Sequence, residues 1–237
     1  MQLQDKTILI TGGARVGQFV AEELLGAGAK LAMTYMKEAT EAHAKAKPYQ
    51  ADFTNEADVR KLVAGVQTDF GQIDGLVNMV SIFSEDKEQI SVADMQKTFA
   101  INAFGNMLAA RLFAENAKAR GAAGAPIISF IDWAVDHPYA DYDIYMASKA
   151  ALRHYLMALQ TSFAGFIRVV NIHPGMILEP PGFLPEVKQS IMNNTPTKNI
   201  GTPEQAAKLV KDALELDFLA DNIYLAGGQQ WRHRLRD

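Results

Sequence analysis

The sequence predicts a single α/β domain over residues 1–237, a Rossmann-like doubly wound parallel sheet with helices on both faces. Three observations carry this. Short apolar runs alternate with longer amphipathic stretches along the whole chain, the pattern of parallel strands covered on both sides. The first run passes directly into a glycine turn and a helix, Thr11-Gly-Gly-Ala-Arg-Val-Gly17. No linker, internal repeat or change of composition divides the chain.

The elements follow in order. Thr7–Thr11 reads as a buried strand, and residues 16–27 as a helix stopped by Gly28. Lys30–Tyr35 is the next strand, followed by an Ala-rich helical stretch to Lys45. Residues 48–51 form a weak third strand, Glu56–Phe70 a helix, and residues 73–78 a strand. Ser91 with Asp94 three residues on is a capping box for one long helix reaching Ala119. A strand over 126–131, a helix over 145–163 and a strand over 167–172 follow. Residues 173–183 are irregular, with Pro174-Gly175 and Pro180-Pro181-Gly182; both a lid and a surface connection fit them. Thr202-Pro203 with Gln205 starts another helix, and residues 222–226 are the last strand.

The composition narrows the functional classes. An apolar content of 49% suffices for a large core, and a net charge of −4 gives no reason to expect nucleic acid or an acidic membrane as partner. The absence of cysteine excludes disulfides and thiolate metal sites, and no metal is expected. The start of the chain lacks the apolar stretch of a signal peptide, and no run approaches the roughly 18 apolar residues of a membrane span. The expectation is a soluble, cytoplasmic protein.

Tyr145-Met-Ala-Ser-Lys149 places a phenol and an ammonium on one side of a helix, with Asp132 thirteen residues before the tyrosine. A free phenol has a pKa of about 10, and a nearby ammonium favours its ionised form. Such a pair suits proton donation to a substrate being reduced. In the glycine turn, Gly12 and Gly17 let the backbone approach a pyrophosphate at the helix N-terminus, with Arg15 and Val16 between them. NAD sites carry an acid about 20 residues beyond such a turn. Here the second strand ends Tyr35-Met36-Lys37. Lys37 and Arg15 attract a 2′-phosphate, which predicts NADPH, although Glu38 argues the other way if it turns inward.

With these residues in place, the chain resembles the short-chain dehydrogenase/reductase family over nearly its whole length. The resemblance rests on the glycine turn, Asp52, Asn78, Asn102, Tyr145 with Lys149, and Pro174-Gly175. It implies that Tyr145 is the proton donor, that Lys149 holds the nicotinamide ribose and lowers the tyrosine pKa, and that Asn102 supports a proton-relay water. It further places the adenine on Asp52 and Phe53, and the nicotinamide side on Pro174, Gly175 and Met176. Asn78, Met79 and Val80 join the cofactor contacts. A dimer or tetramer of identical chains is also implied. The tail Trp231–Arg236 then lies either at a subunit interface or in solvent.

Two departures stand out. The family's T-G-x-x-x-G-x-G loop is shorter here by one residue and lacks its middle glycine, which leaves the phosphate contacts open and supports a non-catalytic cofactor-binding reading. The family's catalytic serine is Asp132. That aspartate resembles the pteridine reductase and dihydromonapterin reductase branch, as do Arg15-Val16-Gly17, Tyr35-Met36-Lys37 and Asn78-Met-Val-Ser81-Ile-Phe83. In that branch the Phe stacks on a pterin, and the Ser and Arg bind the pterin or the cofactor phosphate. Arg15, Ser81, Phe83, Asp132 and Tyr145 are therefore the expected substrate contacts. A buried aromatic at Phe83 and an exposed loop acid at Asp132 are the plain alternatives. A broad carbonyl or quinone reductase is the competing activity.

Overall fold

The computed structural model describes residues 1–39, 44–179 and 182–234. Its sheet has seven parallel strands: β1 (Thr7–Thr11), β2 (Lys30–Tyr35), β3 (Lys47–Gln50), β4 (Gly75–Asn78), β5 (Ala125–Phe130), β6 (Ile167–Pro174) and β7 (Asp221–Leu225). Their order is β3-β2-β1-β4-β5-β6-β7. The chain therefore reverses its winding between β1 and β4. In such sheets the ligand crevice opens at that switch point, beyond the carboxyl ends of the strands.

Helices α1 (Val16–Gly26) and α7 (Pro203–Glu215) cover one face. Ile8 and Ile10 pack there with Val20, Leu24, Val210 and Leu214. Helices α2 (Glu56–Phe70), α4 (Gly105–Ala119) and α5 (Asp143–Ser162) cover the other. There Leu9, Leu76, Ile127 and Val169 meet Val59, Phe113 and Leu152. The alternation along β1, Ile8 and Ile10 one way and Leu9 the other, is the period-2 strand pattern with both faces apolar.

The helix ends obey local chemistry. The Asn55 side chain accepts from the Ala57 N–H at 2.9 Å, with Glu56 and Asp58 in the first turn of α2. The Ser91–Asp94 capping box forms at the start of α3 (Val92–Phe99), and the Thr202–Gln205 box at the start of α7. By contrast, α1 begins with no side-chain cap. Its first N–H groups face the crevice end of β1.

The structure corrects several boundaries. The long helix from Ser91 to Ala119 is interrupted by a π-helical turn over Ala100–Phe104, which contains Asn102. The tyrosine helix starts earlier, at Asp143, and β6 continues through Pro174. A helix not anticipated, α6 (Pro185–Asn193), follows the irregular loop. The Ala-rich stretch to Lys45 falls largely on 40–43, and Pro180-Pro181 and the end of the tail on 180–181 and 235–237, outside the described residues. Within them, no helix is long and apolar enough to cross a membrane, and no cluster of three metal-ligating side chains occurs.

Candidate active site

The predicted site residues converge on the crevice because each follows the carboxyl end of a strand: Gly12 after β1, Lys37 after β2, Asp52 after β3, Met79 after β4, Asp132 after β5 and Gly175 after β6. Val16 and Gly17 open helix α1, Asn102 lies in the π-helical turn, and Tyr145 and Lys149 lie on α5.

The glycine turn forms a close cradle. Gly12 has φ 80°, and a Cβ there would lie 2.9 Å from the Val80 nitrogen; a Cβ on Gly17 would lie 2.4 Å from the Gly12 oxygen. Only glycine fits both. The sequence reading passed over Gly13, which is buried and donates its N–H to the Thr34 carbonyl at 3.2 Å. Arg15 takes φ 53° and ψ −116°. The missing residue is thus absorbed by a left-handed arginine where longer loops use glycine. The glycines and uncapped α1 N-terminus fit a dinucleotide pyrophosphate.

Arg15 itself departs from expectation. Its guanidinium reaches across the crevice to the carbonyls of Leu178 and Glu179, at 3.4 and 3.2 Å, in the loop after β6. The left-handed turn aims its side chain toward that loop. Lys37 and Met36 are exposed at the end of β2, and Tyr35 is half-buried. Asp52 accepts from the N–H and hydroxyl of Thr54, both at 2.8 Å, and Phe53 is buried against Gly105. Asn78 is fully enclosed with neither side-chain polar atom partnered. The Met79 N–H meets the Thr11 hydroxyl at 3.1 Å, and the Val80 carbonyl accepts from Asn106 at 3.0 Å. The Gly175 N–H donates to Leu225, the Met176 carbonyl accepts from Gly201, and Pro174 ends β6.

At the reacting end, the Tyr145 hydroxyl donates to Asp132 Oδ2 at 3.2 Å, while Asp132 Oδ1 accepts from the Ala134 N–H at 2.8 Å. The Lys149 ammonium donates to the Phe130 carbonyl at 2.9 Å and lies 5.8 Å from the Tyr145 ring centre. Desolvation pushes the Asp132 carboxyl up to about 6, against the pull of the Ala134 N–H and the Lys149 charge. Burial lowers the Lys149 ammonium to about 8. Burial and the Asp132 charge hold the Tyr145 phenol well above its ordinary value. This differs from the expectation that the lysine lowers it: burial comes first and the neighbouring carboxylate second, and both act upward. The protonated phenol is the form a proton donor needs.

Asn102 holds the surrounding frame. Its side chain accepts from the Ile82 N–H at 2.8 Å and the Ser81 hydroxyl at 3.3 Å, and donates to the Ile82 carbonyl and Ser148 hydroxyl. Its carbonyl accepts from Asn106 at 3.3 Å. The π-turn aims the asparagine at both the β4 loop and α5. Ser81 is exposed, and its hydroxyl reaches Asn102. Phe83 is no buried aromatic: it is 55% exposed, stacked on Tyr142 at 4.5 Å and edge-on to Tyr145 at 4.9 Å. Asp132 is no exposed loop acid either, being half-buried against Tyr145. The sequence reading missed Tyr142 and Ser148, and their only signal was proximity to Tyr145 and Lys149.

The carboxyl shift yields a stability prediction. The folded-state pKa of Asp132 lies above the ordinary 3.8. Its favourable contribution is therefore complete below about pH 4 and is lost as pH rises through about 6. Asp132→Asn, which carries no charge at any pH, should match wild type near pH 4 and exceed it by about 1–3 kcal/mol at pH 8, after allowance for partial exposure. Urea denaturation at both pH values measures the difference. An equal difference at pH 4 and 8 would contradict the shift.

Comparison with known proteins bears on the whole constellation. A family model described as short chain dehydrogenase matches residues 6–182. The chain is 30% identical over 225 residues to a 3-beta-hydroxysteroid dehydrogenase of Comamonas testosteroni, covering 88% of each chain. It is 27% identical over 241 residues to an L-xylulose reductase of Caenorhabditis elegans, covering 94% of this chain and 92% of that one. A short chain dehydrogenase of Burkholderia cenocepacia J2315, solved in complex with NADP, superimposes with a TM-score of 0.87 at 27% identity. That match covers 97% of this chain and 99% of the other.

Proposed function

The chain belongs to the short-chain dehydrogenase/reductase family of oxidoreductases, and from that premise we propose that it is an NADPH-dependent reductase of carbonyl or quinone substrates. One observation carries the reading: the Tyr145 hydroxyl, held protonated at the crevice mouth, with Lys149 one helical turn on and Asp132 against it. The relatives support the carbonyl class, since their names place them on a hydroxysteroid and a keto sugar. A non-catalytic binder has no use for this set.

Bound NADPH supplies the hydride. Gly12, Gly13 and Gly17 with the α1 N-terminus would hold its pyrophosphate, with Val16 and Arg15 beside them. Asp52 and Phe53 border the adenine. Asn78, Met79, Val80, Pro174, Gly175 and Met176 flank the nicotinamide side, and Lys149 anchors its ribose. Tyr145 passes its proton to the substrate oxygen, and Lys149 with Asn102 supports its replacement. The reading includes a cytoplasmic homodimer or homotetramer; exposed Met95, Phe104 and Met157 on the helical face support association.

A pteridine substrate is the second reading, favoured by Asp132 and Phe83. Reducing a C=N bond requires protonation of a ring nitrogen, and a carboxyl group with a pKa near 6 beside a phenol suits that step. Phe83 offers a flat exposed face opposite Tyr142. Steady-state NADPH oxidation with a simple ketone, a quinone and a dihydropterin separates the readings. Turnover of the ketone or quinone alone supports the first, and turnover of the dihydropterin alone replaces it with the second.

Lys37 at the end of β2 supports the choice of NADPH, through its charge toward a 2′-phosphate. Losing such a charge-assisted contact costs about 1.5–3 kcal/mol. Lys37→Asp should therefore weaken NADPH binding by roughly 10- to 150-fold and leave NADH nearly unchanged. Equal use of both cofactors by wild type would refute the specificity.

A further inference from the structure

His173, at the end of β6, is fully buried, with an oxygen within 3 Å of each ring nitrogen. Nδ1 lies 2.8 Å from the main-chain oxygen of Asp132, and Nε2 lies 2.9 Å from Asn222 Oδ1 on β7. Its ring stacks on Tyr224, centre to centre 4.6 Å. The Tyr224 hydroxyl donates to Asp136 at 2.8 Å, and Arg153 pairs with the same carboxylate at 2.6 Å. Asp132 and Asp136 bound the short 3-10 turn Trp133–Asp136. The ring and its stacked partner therefore grip both ends of the turn that presents the Asp132 carboxylate.

We propose that His173 is a positioning residue: by donating to the Asp132 carbonyl from behind, it holds the Asp132 carboxyl group against the Tyr145 hydroxyl. The proposal rests on the reductase reading. A carbonyl only accepts, so Nδ1 carries the proton. Asn222 Oδ1 also only accepts, so the contact at Nε2 is a hydrogen bond only when the ring carries both protons. Plain packing would be met better by an aliphatic side chain, because a buried polar ring must have its hydrogen bonds made. The charged and titratable groups around the ring are Asp132, Asp136, Arg153, Asp221 and Tyr224.

The test compares His173→Leu, His173→Asn and His173→Gln in the full chain. Asparagine puts an amide nitrogen where Nδ1 stood, glutamine reaches only the Nε2 position, and leucine keeps bulk without polarity. A misplacement near 1 Å costs up to about 100-fold in rate. The leucine and glutamine variants should accordingly lose roughly 10- to 100-fold in kcat with the NADPH Kd unchanged, and asparagine should recover most of it. A readout independent of turnover is the ¹³C titration of the Asp132 carboxyl, assigned with Asp132→Asn. It should fall from about 6 in wild type toward the ordinary carboxylate range in the leucine and glutamine variants and stay put in asparagine. Should the leucine variant fail to fold, the glutamine–asparagine contrast carries the test. Equal impairment of asparagine and glutamine, or an unmoved titration in every variant, overturns the proposal. If wild type reduces no acceptor, the reductase reading fails, while the titration still decides whether His173 holds Asp132.

Discussion

Replacing Tyr145 by phenylalanine should lower kcat and kcat/KM together by about 100-fold or more, the range for losing a general acid. The ring stays in place, buried and edge-on to Phe83. Only the hydroxyl that donates to Asp132 at 3.2 Å is lost. NADPH affinity, measured by fluorescence titration, should change little, because the phosphate cradle and Lys149 are untouched. Lys149→Ala makes the contrast: it removes the proposed ribose anchor and leaves the Phe130 carbonyl without its donor, so affinity and turnover should both fall. A Tyr145→Phe enzyme retaining more than half of wild-type activity would mean that another group delivers the proton.

Asp132 carries the second large effect, and it separates the two substrate readings. Asp132→Ser restores the residue that the wider family uses. With a carbonyl acceptor it should leave turnover within a few-fold of wild type, since a serine hydroxyl can hydrogen-bond the substrate oxygen in the proposed reaction. With a dihydropterin it should lose about 100-fold or more, because serine does not supply a proton near neutral pH. Phe83→Ala refines the result. Stacking of a base-sized ring on an aromatic face is worth about 1–3 kcal/mol, so a pterin KM should rise by roughly 5- to 150-fold, with kcat less affected. Pterin reduction by Asp132→Ser at the wild-type rate would end the pteridine reading. Loss of carbonyl turnover in the same variant would show that the first reading needs a carboxyl group, and not only a hydrogen-bonding side chain, at this place.

Much of the architecture was legible in the sequence. Thr7–Thr11 is buried throughout, with an apolar centre, because both faces of its strand are covered. The turn from Gly12 to Gly17 needs glycine where no Cβ fits. The caps at Ser91 and Thr202 are local motifs whose partners lie three residues away. The Tyr145–Lys149 spacing was equally local, since one helical turn sets it. Helix α6 was not legible. It is a short run with no buried residue, so it carries no strong apolar signal.

The sequence by itself therefore determined what short-range geometry controls: the strand and helix alternation, the glycine cradle, the capped helix starts, and the pairing of phenol and ammonium. The tertiary structure alone decided what depends on chain segments far apart. It turned Arg15 toward residues 178–179, put a π-turn under Asn102, left Phe83 exposed on Tyr142, and set His173 behind Asp132, 41 positions earlier in the chain. It also reversed the expected electrostatics of Tyr145. A pKa depends on distance, burial and every neighbouring charge in space, and sequence spacing fixes only the neighbours along one helix.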